Sequence, residues 1–164
     1  GTRRRFEPKG EVGGVRLVDD YAHNPGKVAA VVETARGLAA PGRLIVVFQP
    51  HLYSRTRDFA AALAMALSPA DIVIVMDVYA AREDPMPGVS GAMIADRLGA
   101  AQPPHAHVQF VPFWSDIAPL VAEIACAGDL VLTVGAGDVT MIGPEILRLL
   151  GHPQETTEAV QGQE

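Results

Sequence analysis

The residues best suited to chemistry in this sequence form one run, FQPHLYSRTR, at positions 48–57. The run follows an apolar segment at 44–47, so it places an imidazole, hydroxyls and two guanidiniums at the end of a predicted buried strand. In an open α/β sheet, ligands bind outside the carboxyl ends of the strands. Arg55 and Arg57 present planar donors that suit a carboxylate or a phosphate, and His51 can exchange a proton near neutral pH. The run therefore predicts an anion-binding site.

The alternative is a surface loop that runs into the first turn of a helix, with Arg55 and Arg57 simply exposed there. Cations at a helix N-terminus are unfavourable by about 0.3–1 kcal/mol, because they face the positive end of the helix dipole. A bound anion would offset that cost. We therefore favour a functional role for the run.

Two further loops carry polar or flexible residues at strand ends, DDYAHN at 19–24 and GAGD at 135–138. Carboxylates in the first loop could accept hydrogen bonds from ribose hydroxyls, but a solvated strand end with Asn24 as a helix cap explains it equally well. The glycine turn lets a ligand or another backbone segment approach closely, and a structural tight turn explains it at least as well. Right-handed crossovers place all three loops on one edge of the sheet, and we take this convergence as evidence for a site.

The elements that position these loops follow a repeated strand and helix pattern. Asn24 and Pro25 predict the start of the first helix, and a second helix is predicted from about Thr56 to Leu67. Ser115 is expected to cap a later helix. Strands are predicted at 15–19, 44–48, 72–76, 108–111 and 130–134, with a possible edge strand at 6–12. The pattern predicts an α/β fold, a Rossmann-like three-layer sandwich with a mostly parallel sheet of about six strands and helices on both faces.

Composition narrows the functional classes. The 164 residues fit one domain, and a net charge of −6 argues against a nucleic-acid partner. We expect no membrane span and no signal peptide, hence a cytoplasmic protein. Cys126 is the single cysteine, which excludes an internal disulfide, and we expect it to be buried. Metal-ligand spacing, a G-x-x-x-x-G-K-[ST] phosphate loop and a G-x-G-x-x-G fingerprint are all missing.

Four ordered motifs resemble the C-terminal domain of the Mur ligases of peptidoglycan synthesis. They are DDYAHNP at 19–25, FQPHLYSRT at 48–56, DVYAARE at 77–83 and GAGD at 135–138. The resemblance implies a Rossmann-like domain over residues 1–150. Residues 151–164 are polar and lack apolar periodicity, so we expect a disordered tail there. The resemblance also implies two other domains, one for a UDP-sugar and one ATPase with the phosphate loop and magnesium ligands. Because the phosphate loop would lie in the ATPase domain, the resemblance also explains why this chain lacks one.

The resemblance implies an ADP-forming amide ligase that joins L-alanine to UDP-N-acetylmuramate, within cell-wall biogenesis, cell shape and cell division. ATP and Mg²⁺ would serve the longer enzyme, with none bound tightly to this chain. The C-terminal domain would close over the ATPase domain, complete the nucleotide site, present the amino acid and exclude water from an acyl phosphate. It would supply no catalytic residue by itself, so the isolated domain is expected to be inactive. No nucleic acid or membrane partner is implied.

By position, the resemblance also implies two groups of binding residues. Leu52 stands where relatives carry arginine, which leaves the nearby arginines to supply the charge, with Arg55 as the clamp on the alanine carboxylate. Asp20 would meet the ribose. The residues implied around the amino acid are Tyr21, His51, Arg55 and Arg57. Those implied near the nucleotide are Arg4, Arg5, Asp20, His23 and Asn24.

Two other functions are considered. A free-standing module that recognises a nucleotide or small acid without catalysis predicts tight binding by the 164 residues alone. The ligase hypothesis predicts weak binding, because half of its site lies in other domains. A Rossmann dehydrogenase is disfavoured, since G-x-G-x-x-G does not follow the first strand.

Overall fold

A six-stranded sheet forms the centre of the computed structural model, which describes residues 5–105 and 107–152. The strands are β1 Glu7–Val12, β2 Val15–Asp20, β3 Leu44–Phe48, β4 Ile72–Val75, β5 Val108–Phe110 and β6 Leu130–Val134. Their order in space is β1-β2-β6-β3-β4-β5. β1 pairs with β2 in the antiparallel sense, and every other pairing is parallel. The mostly parallel sheet of about six strands is thereby confirmed, and the weakly indicated edge strand is β1.

Helices cover both faces of the sheet. They are α1 Pro25–Ala39, α2 Tyr53–Leu67, α3 Ala92–Gly99, α4 Trp114–Ile124 and α5 Ile142–Gly151, with a short 3₁₀ turn at Asp138–Met141 before α5. The buried residues of α1, α2 and α3 join one hydrophobic cluster, and those of α4 and α5 join a second. The three-layer α/β sandwich is confirmed.

The strand sequences explain this layering. β3, β4 and β6 read LIVVF, IVIV and LVLTV, continuous apolar runs of the kind found in strands covered on both faces. Successive side chains of a strand point to opposite faces. Leu44, Val46 and Phe48 accordingly pack against the α1–α3 cluster, whereas Ile45 and Val47 pack against the α4–α5 cluster.

The connections open a crevice at the carboxyl edge of the sheet. β2, β3, β4 and β5 advance in one direction across the sheet, and the chain then returns through α4 to insert β6 between β2 and β3. The loop after β6 leaves toward the α4–α5 face, while the loops after β2 and β3 leave toward the other face. Such a reversal of strand order is where open α/β sheets bind ligands.

Several local predictions can be compared with the structure. Asn24 caps α1 as predicted, its Oδ1 accepting the Lys27 N–H at 2.9 Å. α2 begins at Tyr53, earlier than the predicted Thr56, and α4 begins at Trp114 with Phe113 in the cap position, so Ser115 is not the cap.

In the second half of the chain, one prediction is wrong and another concerns residues outside the described ranges. Cys126 is exposed, contrary to expectation, because it lies in the turn between α4 and β6. α5 ends at Gly151, and the expected tail from residue 153 onward lies outside the described residues, as does Arg4. None of the helices described is both long and apolar enough to cross a lipid bilayer.

Candidate functional site

Asp20, at the end of β2, holds the start of the described chain against the sheet. Its carboxylate is nearly buried, with 9% exposed, and accepts the Phe6 N–H at 2.7 Å and the Ala22 N–H at 2.8 Å. Each carboxylate oxygen has two acceptor sites, so among the described residues both oxygens retain capacity for one more donor. Asp20 is therefore placed to fix this loop and still accept a hydroxyl.

A cleft of about 880 Å³ opens beside Asp20. Ala30 and Val31 of α1 give it an apolar wall. Its polar and aromatic lining comes from Arg5, Phe6, Asp20, Tyr21, His23 and Lys27. The structure therefore brings together three of the five residues implied for the nucleotide, whereas Asn24 instead caps α1.

Asp19, adjacent in sequence, has a different role. Its carboxylate is buried and accepts the Thr133 hydroxyl at 2.7 Å and the Thr140 hydroxyl at 2.9 Å. These bonds join the end of β2 to β6 and to the turn before α5. Asp19 therefore serves the fold, but as a buried, bonded carboxylate and not as the solvated strand end that the alternative described.

The glycine turn at 135–138 packs against the loop that follows β3. Gln49 donates through Nε2 to Asp138 Oδ1 at 2.6 Å, and its Oε1 accepts the Val139 N–H at 3.0 Å. A Cβ on Gly137 would lie 2.5 Å from Gln49 Oε1 and 2.5 Å from Tyr79 Cγ, so only glycine fits without displacement. The close approach here is to the protein's own side chains.

His51 lies in a row of four rings along the carboxyl edge of the sheet. Its ring stacks on Tyr79 with centroids 5.9 Å apart and meets His23 edge-on at 5.3 Å. His23 in turn meets Tyr21 edge-on at 5.4 Å. The row connects the cleft beside Asp20 to the start of α2, so the two implied groups of residues are neighbours.

The environment of His51 keeps its ring neutral at physiological pH. Burial lowers the pKa of His51, and the nearby charges of His23 and Arg55 lower it further, against an opposing effect of Glu83. Its Nδ1 is buried and has no hydrogen-bond partner within the part of the chain that the structure describes. His51 thus holds an unused polar atom beside a cation.

Arg55 and Arg57 differ in their surroundings. Arg57 donates through Nε to Asp58 Oδ1 at 3.0 Å, and its Nη1 lies 3.9 Å from Met86 Sδ. Arg55 is exposed in the first turn of α2 and forms no ion pair or hydrogen bond with residues 5–105 or 107–152. Of the two arginines implied to contact an amino-acid carboxylate, Arg55 is therefore the one whose guanidinium no described residue binds.

The anion expected at the start of α2 is already part of the chain. Leu52 precedes the helix with φ of 70° and gives no side-chain cap, and the carboxylate of Glu83 takes that place by accepting the Ser54 N–H at 3.1 Å. Sequence reasoning missed Glu83 and its neighbour Tyr79, although both lie in the DVYAARE motif. No local sequence signal could have found this cap, because Glu83 lies 29 residues from Ser54.

A metal site is not evident in the described ranges, where no group of three or more His, Cys, Asp or Glu side chains could hold an ion. The arrangement instead offers cations for organic anions and the Asp20 carboxylate as an acceptor for hydroxyl groups. One cleft carries Arg5, Lys27 and Asp20. Next to it, Arg55 and neutral His51 form an open half-site at the crevice.

Residues 4–137 match the family described as Mur ligase, glutamate ligase domain. A UDP-N-acetylmuramate--L-alanine ligase from Kineococcus radiotolerans is 58% identical over 152 residues, covering 93% of this chain and 32% of that protein. One from Saccharopolyspora erythraea is 53% identical over 158 residues, covering 96% and 32%. The crystal structure of the corresponding Thermotoga maritima ligase matches with a TM-score of 0.70 at 26% identity, over 88% of this chain and 29% of that one. The chain spans about a third of the length of the curated relatives it matches.

Proposed function

This chain belongs to the Mur ligase family, and we propose that it is the C-terminal domain of an ATP-dependent, ADP-forming ligase that joins L-alanine to UDP-N-acetylmuramate. The domain would comprise residues 1–150, and other domains of the longer enzyme would bind the UDP-sugar and carry the phosphate loop. The choice of substrates is supported by the names of relatives more than half identical to this chain. A cytoplasmic location accompanies the proposal.

The observation that carries the proposal is the open guanidinium of Arg55 beside the neutral ring of His51. An arginine fork binds a carboxylate through two parallel hydrogen bonds, which fixes the orientation of the bound molecule. With the carboxylate of L-alanine held by Arg55, its amino group would be directed away from α2, toward the crevice. His51, Tyr21 and Arg57 would surround the remainder of the amino acid.

The reaction requires two steps. The γ-phosphoryl group of ATP passes to the lactyl carboxylate of the sugar, giving an acyl phosphate and ADP. The neutral amine of L-alanine then attacks the acyl carbon, and the bond from that carbon to the phosphate oxygen breaks. The nitrogen loses a proton, phosphate departs, and the product is an amide. Because acyl phosphates hydrolyse, a domain that closes over the site and excludes water protects the intermediate. On this scheme the isolated domain binds and positions but does not catalyse.

The cleft beside Asp20 fits an adenine nucleotide. The acceptor sites of Asp20 that no described residue occupies suit ribose hydroxyls, the cations of Arg5 and Lys27 suit phosphates, and the wall formed by Ala30 and Val31 suits a base. His23 lies at the border with the amino-acid half-site. We assign Mg²⁺ to the ATPase domain, since the described residues of this chain form no acidic cluster for it.

An activity assay tests the proposal in a chimera in which this chain replaces the matching third of the Kineococcus radiotolerans ligase. Arg55→Ala is expected to raise the KM for L-alanine about a hundredfold, as expected when one partner of a desolvated charge pair is removed. The KM for ATP should change less than about twofold, because the cleft beside Asp20 is untouched. Arg97→Ala, an exposed arginine in the last turn of α3, is the matched control and should change neither value. Unchanged alanine dependence in Arg55→Ala would overturn the assignment.

A titration separates the ligase domain from a free-standing binding module. The 164-residue chain, observed by NMR, should bind ATP and L-alanine only weakly, because the other half of each site lies in other domains. Tight binding of either ligand by the chain alone would favour the module.

A further inference from the structure

The segment at 77–83, DVYAARE, extends the pairing of β3 and β4 beyond the ends of the strands. The Leu52 N–H donates to the Tyr79 carbonyl at 3.0 Å, and the Tyr79 N–H donates to the Pro50 carbonyl at 2.8 Å. The ring of Tyr79 stacks on His51 at the same level. The segment therefore supports the loop that leads into α2, although the proposed function gives it no role.

The last residue of the segment, Glu83, caps the start of α2. Oε1 of Glu83 accepts the Ser54 N–H at 3.1 Å, Oε2 accepts the Ser54 hydroxyl, and the Tyr53 N–H also bonds to this carboxylate. The first amides of any helix lack partners within the helix, and Leu52 has no side chain that could serve them. Glu83 fills that need from 29 residues away.

The first turn of α2 sets the direction in which the Arg55 side chain leaves the helix. Arg55 is the third residue of α2, directly after Ser54, so its Cα–Cβ bond points where the first helical turn sets it. Arg55 also brings a positive charge to the positive end of the helix dipole, which the Glu83 carboxylate offsets. The hydrogen bond from Ser54 lowers the pKa of Glu83, so the carboxylate is ionised at neutral pH.

We propose that Glu83 is a positioning residue of the amino-acid site, which fixes the first turn of α2 so that the Arg55 guanidinium meets the substrate carboxylate. The inference rests on the proposed function of Arg55. The Glu83 carboxylate already bonds Tyr53 and Ser54, so on this proposal it does not bind the substrate directly. Its loss should therefore affect the binding of L-alanine rather than the chemical step.

Kinetics of the chimera test the role in the ligase. Glu83→Gln is expected to raise the KM for L-alanine about tenfold, the effect of losing one charge-assisted hydrogen bond, with kcat at saturating alanine and the KM for ATP unchanged. Ser54→Ala should shift the same value in the same direction by less, because the Ser54 N–H remains bonded. Glu145→Gln is the matched control, a glutamate in the first turn of α5 that pairs with Arg148, and should have no effect. An unchanged KM for L-alanine in Glu83→Gln would overturn the positioning role.

A measurement on the 164-residue chain keeps this result separate from the proposed function. In Glu83→Gln, exchange of the Ser54 amide hydrogen should accelerate and the backbone heteronuclear NOE of Arg55 should fall, while the circular dichroism spectrum is retained. Both signals unchanged would refute the positioning role whatever the enzyme does. Absence of alanine ligation by the unaltered chimera would refute the proposed function instead. If Glu83→Gln does not fold, Ser54→Ala, which removes only the hydroxyl bond to Glu83, should lower the backbone NOE of Arg55 by a smaller amount, and no change there would refute the positioning role.

Discussion

The arginines at the two ends of the strands differ in whether they have a partner within the fold. At the amino edge, Arg36 pairs with Asp71, and Arg43 pairs with Asp129 at 2.7 Å. At the carboxyl edge, Arg55 has no partner among the residues described. The arginines that precede the strands are therefore part of the fold, whereas the arginine that follows one is available to a ligand.

Polar side chains converge at the carboxyl edge, but the amino edge carries charged residues as well, so convergence alone is not evidence for a site. Even at the carboxyl edge, Asp19 and Gln49 are fully occupied within the fold. What marks the candidate site is a charged group left without a partner, together with the unused Nδ1 of His51.

The largest expected loss of stability comes from a substitution at the amino edge. Asp129 has a side chain only 4% exposed that accepts bonds from Arg43 and from the Cys126 N–H at 2.8 Å. Asp129→Ala removes the acceptor of the Cys126 N–H and of Arg43 Nε, while Arg43 Nη2 keeps the Ile124 carbonyl, so the free energy of unfolding should fall by about 3 kcal/mol in urea titrations. Asp58→Ala, which removes the exposed pair with Arg57, should change it by less than about 1 kcal/mol. A loss below about 1 kcal/mol in Asp129→Ala would contradict the comparison.

Much of the fold could be predicted because its signals are local. The apolar runs gave each strand of the parallel sheet to within one residue, and Asn24 caps α1 through a bond to Lys27 only three residues away. The start of α2 could not be predicted, since its cap, Glu83, lies 29 residues away. The same holds for the site. The sequence indicates Arg55 as a candidate because of its residue type and position, but its lack of a partner depends on tertiary packing.

The second largest loss of stability is expected at the glycine turn at 135–138, which serves the fold at the carboxyl edge. Gly137→Ala would force a Cβ to within 2.5 Å of Gln49 Oε1 and Tyr79 Cγ, so overpacking should lower the free energy of unfolding by about 2 kcal/mol. Gly37→Ala is the matched control. It lies within α1 with nothing near its Cβ, and should raise the same quantity by about 0.5–1 kcal/mol. Equal stability of the two variants would show that the glycine turn is not tightly packed.

Acidification should act on the two edges in separate pH ranges. Burial raises the pKa of Asp129, but the bonds from Arg43 and the Cys126 N–H outweigh it and leave the pKa below the ordinary value of 3.8. Its stabilisation is therefore present above pH 3.8 and is lost as the pH falls through the lower native value. Burial, then the charges of His23 and Arg55, lower the pKa of His51 below 6.5, against Glu83. Its contribution is full above pH 6.5 and declines as the pH falls below it, because the unfolded chain binds the proton first.

Urea titrations at pH 7.5, 6.0, 5.0 and 3.0 measure both steps. His51→Asn should remove the part of the decline between pH 7.5 and 5.0 that belongs to this ring, and leave the fall below pH 4 intact. Asp129→Asn should have the opposite pattern. The same pH dependence in His51→Asn as in the unaltered chain would show that His51 is not desolvated in the folded state.

The smallest expected effect is the most informative about the candidate site. Arg55→Ala should leave the free energy of unfolding within about 0.5 kcal/mol, because no described residue loses a partner and a cation is removed from the positive end of α2. The same substitution should raise the pKa of His51, since the Arg55 charge lowers it, and an NMR titration of the imidazole would show this. Arg43→Ala is the comparison at the other edge and should destabilise, because buried Asp129 loses its counter-ion. A loss of more than about 1 kcal/mol in Arg55→Ala would mean that the arginine serves the fold, and the distinction between the two edges would fail.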